Sequence, residues 1–140
     1  MRGSLTRIGV IVAILASGIA ACGGGQNSKP LNELQRAHAG SLDVVMLSEA
    51  DTLRQGKDIV VLEFRNAAAK PVDVGAVKVN ATMTMPGMAP MFGDGAVTPT
   101  ATKGRYDVAT DLDMAGTWRF SVTWDGPAGK GTVSMPATAR

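Results

Sequence analysis

"VKVNATMTM", residues 77–85, changes the character of its side chain at every step. Val77, Val79, Ala81, Met83 and Met85 fall on one parity, and Lys78, Asn80, Thr82 and Thr84 on the other. Successive strand side chains point to opposite faces, so a period of two marks a strand with one dry face and one wet one. "WRFSVTW" (118–124) repeats the pattern, with Trp118, Phe120, Val122 and Trp124 set against Arg119, Ser121 and Thr123. "IVVLEFRN" (59–66) is rich in β-branched residues and runs into the turn-prone "AAAKPVD". Lys103-Gly104 separates "AVTPTAT" from "RYDVATDL", and "DGPAGKG" separates the Trp-bearing stretch from "TVSM"; both read as hairpin links. Asp94, in "GDG", reads as a turn residue. Together with "LDVVMLS" these stretches predict about seven short strands. The expected fold is all-β, an immunoglobulin-like antiparallel β-sandwich over residues 41–140 with the large aromatics at its centre.

The N-terminus reads differently. "MRGSLTR" carries Arg2 and Arg7 and no acid, and "IGVIVAILASGIAA" follows as a short apolar run. That is the plan of a secretory signal; the other reading, a single transmembrane anchor, fits less well, since the run is short and ends in small residues. "IAAC" (19–22) resembles the bacterial lipobox, in which the cysteine is acylated and becomes the first residue of the mature chain. Cys22 is also the single cysteine, so an intramolecular disulfide and a thiolate metal cluster are both excluded. The expected organisation is a lipoprotein signal peptide over 1–21, a lipidated Cys22 with a Gly-rich flexible tether over 22–40, and the sandwich over 41–140. Within the tether, the residue types of Leu31 to Ala39 allow a short helical patch. Gly23, not Asp, follows the cysteine, which favours an outer membrane where the cell has one. The expected location is the cell envelope, with the domain facing the periplasm or exterior.

Loss of residues 1–21 leaves 119 residues, one domain's worth. Arg2 and Arg7 leave with the signal, so the 14 Lys and Arg fall to 12, against 12 Asp and Glu. The net charge of +2 therefore belongs to the precursor. A balanced mature chain gives no basis for nucleic-acid binding, which needs a clustered basic surface.

"TMTMPGMAPM" (82–91) holds four of the chain's eight methionines. Met46 and Met135 read as core residues, and Met83 and Met85 share the parity of Val77 and Val79, so both fit a core as well. Met88 and Met91 follow Pro86-Gly87 and Ala89-Pro90, where proline withholds amide donors and the strand should stop. Thioethers at the open end of a sandwich form either an adhesive apolar patch or a ligand set. Thioether sulfur is soft and uncharged, and it selects Cu(I) or Ag(I) over zinc, calcium or magnesium. It also cannot form disulfides, which suits an oxidising envelope.

"MTMPGMAPM" with "GRYDVATDLDMAGTWRFSVTWDGPAGKGTV" resembles the YtkA-like or FixH-like family, over residues of about 58 to 135. The resemblance rests on Met85-Pro86-Gly87-Met88, Gly104-Arg105-Tyr106 and Met114-Ala115-Gly116-Thr117-Trp118. It implies a small exported β-sandwich linked to copper, of the kind found alone or joined to adaptor subunits of heavy-metal efflux pumps. It also implies Met83, Met85, Met88 and Met91 as candidate ligands, with Met114 a fifth. Many relatives carry histidine beside the Met-Pro segment, whereas Ala89, Pro90, Phe92 and Gly93 stand there in this chain. An all-thioether set favours Cu(I) and binds Cu(II) poorly. The expected partners are the membrane, through Cys22, and an efflux adaptor or a cuproenzyme-assembly protein. The rival expectation is a module whose methionine patch contacts a protein.

Other features carry less. His38, the single histidine, falls in the tether and reads as solvated. Asp111 and Asp113 share a strand face but lack the further oxygen ligands of a cation site. "GPAGKGT" (126–132) lacks the spacer and following helix of a phosphate loop and reads as a hairpin. No nucleophile has a base to activate it in the sandwich, so the expected role is binding, not catalysis.

Overall fold

The alternating stretches are strands in the computed structural model, which describes residues 29–140. The signal segment, Cys22 and the tether as far as Ser28 lie outside the described residues. Eight strands follow in order: β1 (Asn32–Ala39), β2 (Leu42–Ser48), β3 (Gly56–Arg65), β4 (Ala76–Met83), β5 (Met91–Pro99), β6 (Arg105–Leu112), β7 (Gly116–Gly126) and β8 (Gly129–Ala139). Every neighbouring pair is antiparallel, in the ladder order β1-β2-β3-β6-β5-β4-β7-β8. The sheet doubles over until its outer strands meet at a seam. There Gln35 Nε2 donates to the Pro136 carbonyl at 3.2 Å, and Leu53 exchanges backbone bonds with Thr138 (3.1 Å) and Arg140 (2.9 Å). The result is an all-β, sandwich-like and nearly barrel-shaped domain. It has eight strands where about seven were expected, in one continuous ladder.

Two readings need correction. Residues 32–39 are strand β1, not a helical patch, and His38 lies in that strand opposite Asp43. Helix-forming residue types are overridden here by a full ladder to β2, as local propensity often is by tertiary pairing. The sheet thus begins before residue 41. Asp94 is not in a turn: it lies within β5, between Asn80 of β4 and Asp111 of β6. Its flanking glycines mark close packing instead. A Cβ on Gly93 would lie 2.9 Å from Leu112 Cδ2 and 3.3 Å from the Trp118 ring, and one on Gly95 would lie 2.9 Å from the Val79 carbonyl.

The inward parity of the strands forms the core. Val44 and Met46, Val60, Leu62 and Phe64, Val108 and Leu112, and Trp118, Phe120 and Val122 are all within 1 % of full burial. Met135 joins them, so Met46 and Met135 are core residues as expected. Phe64 lies edge-on to Tyr106 (5.7 Å between centroids) and Trp124 (5.3 Å).

β2 is buried on both faces, and its outer face has a charged cover. Val45 stands between Arg36 of β1 and Glu63 of β3. Glu63 is itself buried and accepts from Arg65 Nε at 2.6 Å and from Arg105 Nε at 2.9 Å. Arg36 bonds Glu33 and Asp43. Val45 is thus flanked on the outer face by Arg36 and Glu63, both of them ion-paired. Burial pushes the Glu63 carboxyl up, but the bonds from Arg65 and Arg105 prevail and hold it below its ordinary range.

The register also sorts the loops. One end of the sandwich carries the entry of the chain at Asn32, the loops 49–55, 84–90 and 113–115, and the C-terminus. Contacts tie that end together: Asn32 Nδ2 donates to Asp51, and Gln55 Nε2 to the Asp113 carbonyl. The opposite end carries the links 40–41, 66–75, 100–104 and 127–128. The last of these, Pro127-Ala128 between the paired Gly126 and Gly129, is a hairpin as expected.

Candidate functional site

All five candidate methionines lie at the first of these ends. Met83 closes β4 and is 3 % exposed, on the inward parity that "VKVNATMTM" predicts. Directly across the ladder stands Met91, the first residue of β5 and half-buried. Met91 is therefore a strand residue and not a loop residue, since the prolines end β4 but β5 resumes at once after Pro90. Side chains of a directly opposed antiparallel pair share a face about 4.5–5.5 Å apart at Cβ. The Met83–Met91 pair thus sets two thioethers side by side at the rim of the core.

Above this pair the chain reverses. The Met88 amide donates to the Met85 carbonyl at 3.2 Å across Pro86-Gly87, and Gly87 has φ +78°. Proline followed by a positive-φ glycine is the requirement of a type II turn, so Met85-Pro86-Gly87-Met88 encodes one locally. The turn leaves Met85 half-buried against the core and Met88 53 % exposed.

Met114 enters from the facing loop and is 37 % exposed. Its carbonyl accepts the Trp118 indole N–H at 2.9 Å, which fastens the 113–115 loop to β7. Gly116 lies between them with φ +137°, and a Cβ there would stand 2.8 Å from Met83 Cε and 3.6 Å from its sulfur. The spacing Met-x-Gly-x-Trp therefore has a local explanation. Trp118 supports the loop, and the bare glycine leaves room for the Met83 thioether.

From Val79 to Gly93 no side chain is ionisable. Among the described residues, no group of three or more His, Cys, Asp and Glu is arranged to hold a metal ion. Within residues 79–93 the soft donors are the thioether sulfurs, beside backbone carbonyls, the Asn80 amide and the Thr82 and Thr84 hydroxyls. His38 stands at the other end, next to the last residue of β1, with Nδ1 against Asp43. Asp111 and Asp113 are exposed.

The sequence pattern did not single out Gly116 or Trp118 as supports of this end, nor Phe92, which faces outward and is 75 % exposed. Phe92 takes the wet parity of β5, where a large aromatic is out of place.

Fold and site together define an antiparallel β-sandwich that gathers its thioethers at one end. A family model described as YtkA-like matches residues 39–123, more than half of the chain, and the chain belongs to the YtkA-like family. The match starts nearer the N-terminus and stops sooner than the resemblance over 58 to 135. No protein of curated function and no solved structure matches the chain.

Proposed function

We propose that this domain binds Cu(I), with Ag(I) as its analogue, through the thioethers of Met83, Met85, Met88 and Met91, with Met114 as a fifth donor. It acts as an envelope chaperone or buffer that serves heavy-metal efflux or cuproenzyme assembly. The observation that carries this reading is the cross-strand Met83–Met91 pair next to the type II turn that bears Met85 and Met88. Soft, neutral donors in a stretch without ionisable groups match a soft monovalent cation. Membership of the YtkA-like family is compatible with a copper-related role. In this reading the chain is a binding protein, exported by its signal segment and anchored to the membrane through acylated Cys22.

Competition titration with a Cu(I) chelator is the direct test. Replacing Met85 and Met88 together by leucine should raise Kd at least about tenfold, a loss of about 1.4 kcal/mol. The fold should be left intact, because both side chains lie at or near the surface. A pH series sharpens the test. Thioethers have no proton to lose, so affinity should stay nearly flat from about pH 5 to about pH 8, once the chelator's own protonation is corrected for. His38→Ala should not alter that curve. A loss of Cu(I) on acidification that disappears in His38→Ala would show that the ligand set has been misassigned. For the anchor, Cys22→Ser should abolish acylation and lipoprotein-type cleavage; mass spectrometry of the mature chain reads both.

A further inference from the structure

The end of the sandwich that carries the methionines is also the end at which the chain enters the domain. Asn32 pairs with Ser48, and its side chain reaches Asp51 in the 49–55 loop beside the C-terminus. Ten residue steps separate Cys22 from Asn32, a reach of at most about 35 Å at full extension. β7 and β8, eleven residues each, place the opposite end about 36 Å further along the strand axis. The methionine end is therefore the one to which the tether from Cys22 attaches, and a tether short of full extension keeps it the nearer of the two.

That end also carries three of the four large exposed apolar side chains among the described residues. Phe92 is 75 % exposed and Met88 53 %, and both stand in the uncharged stretch from Val79 to Gly93. The other large exposed apolar side chains among the described residues are Met114, at the same end, and Ile59, on the outer face of β3. Pro86 and Pro90 have no amide hydrogen, so the 84–90 loop carries fewer donors to strip of water if it enters an apolar phase. The neighbouring loops carry a small negative excess, with Arg54 and Arg140 against Glu49, Asp51 and Asp113.

We propose that the tip formed by the loop 84–90 and Phe92 rests in the headgroup boundary of the bilayer to which the chain is anchored. The inference rests on the reading of Cys22 as acylated. Its occupant is lipid, recognised by apolar contact through Phe92, Ala89 and the two prolines. On a zwitterionic bilayer contact of this kind is insensitive to salt, because the lipid surface carries no net charge to attract or repel the loops.

The test uses the full acylated chain on phosphatidylcholine vesicles. A solvent-sensitive fluorophore is placed at Ala89→Cys or, at the opposite end, at Ala128→Cys; the acylated Cys22 sulfur does not compete for label. The vesicles carry a nitroxide high on the acyl chain. A tip seated about 5–10 Å into the boundary should quench the Ala89 probe about threefold more than the Ala128 probe, at low and high salt alike. Adding Phe92→Ser to the Ala89→Cys chain should remove most of that difference. Equal quenching at the two positions, with Cys22 acylated by mass spectrometry, overturns the orientation and leaves the anchor standing. An unmodified Cys22 overturns both. An Ala89 probe that is shielded in native membranes but not on pure lipid assigns the tip to a membrane protein, and overturns the lipid occupant.

Discussion

Trp118→Ala should lower unfolding free energy by about 3–5 kcal/mol, the usual cost of removing a large aromatic from a sealed core. Trp118 is fully buried, and its ring edge packs within 3.3 Å of the space above Gly93, so β5 cannot move in to fill the void without distorting its ladder. A second loss is added by the indole N–H, which leaves the Met114 carbonyl without its donor. Trp118→Phe separates the two, since it keeps most of the packing and removes only the bond, for a loss of about 1 kcal/mol beyond the volume change. Urea unfolding followed by far-ultraviolet circular dichroism gives both values. If Met85→Leu/Met88→Leu unfolds as readily as Trp118→Ala, those methionines are structural and the ligand reading loses its main support.

Glu63→Ala should cost about 2–3 kcal/mol, near the lower limit for breaking a buried ion pair. It leaves Arg65 of β3 and Arg105 of β6 without the carboxylate that both of them bond. The loss stays near that limit because both guanidinium groups keep some access to water, with side chains 21 % and 38 % exposed. The same contact makes stability depend on acid. The Glu63 carboxyl is held below its ordinary value of 4.5 in the folded chain, so its contribution is complete above about pH 4.5. It is lost as pH falls through the lowered folded value. Urea midpoints of wild type and Glu63→Gln should therefore differ at pH 7 and converge towards pH 3. A gap that persists unchanged at pH 3 would mean that protonation of Glu63 is not what links acid to unfolding.

Most of the strand pattern could be read from the sequence because half-buried strands write their burial into alternate residues. β2 and β6 coincide with "LDVVMLS" and "RYDVATDL" to the residue. β1 could not be read that way. Its residues are half-wet on both faces, and what makes "NELQRAHA" a strand is the neighbouring β2, not its own composition. β5 was hidden by its glycines. Gly93 and Gly95 look like turn residues in one dimension, and only the proximity of Leu112, Trp118 and Val79 shows why side chains are missing there. At the methionine end, the type II turn was implicit in Pro86-Gly87. The placement of Met114 opposite it was not, because that depends on the pairing of β4 with β7 and of β5 with β6.

The seam between β1 and β8 has a consequence for how densely copies of the chain can be packed. A sheet with free edges offers unpaired backbone groups to any identical neighbour. Here one edge is interrupted by the register shift between Glu33 and Gln35, and the other contains Pro136, which has no amide to offer. The Gln35 side chain already occupies the Pro136 carbonyl. Dense arrays of this protein should consequently stay as separate molecules and not zip together strand to strand into fibrils.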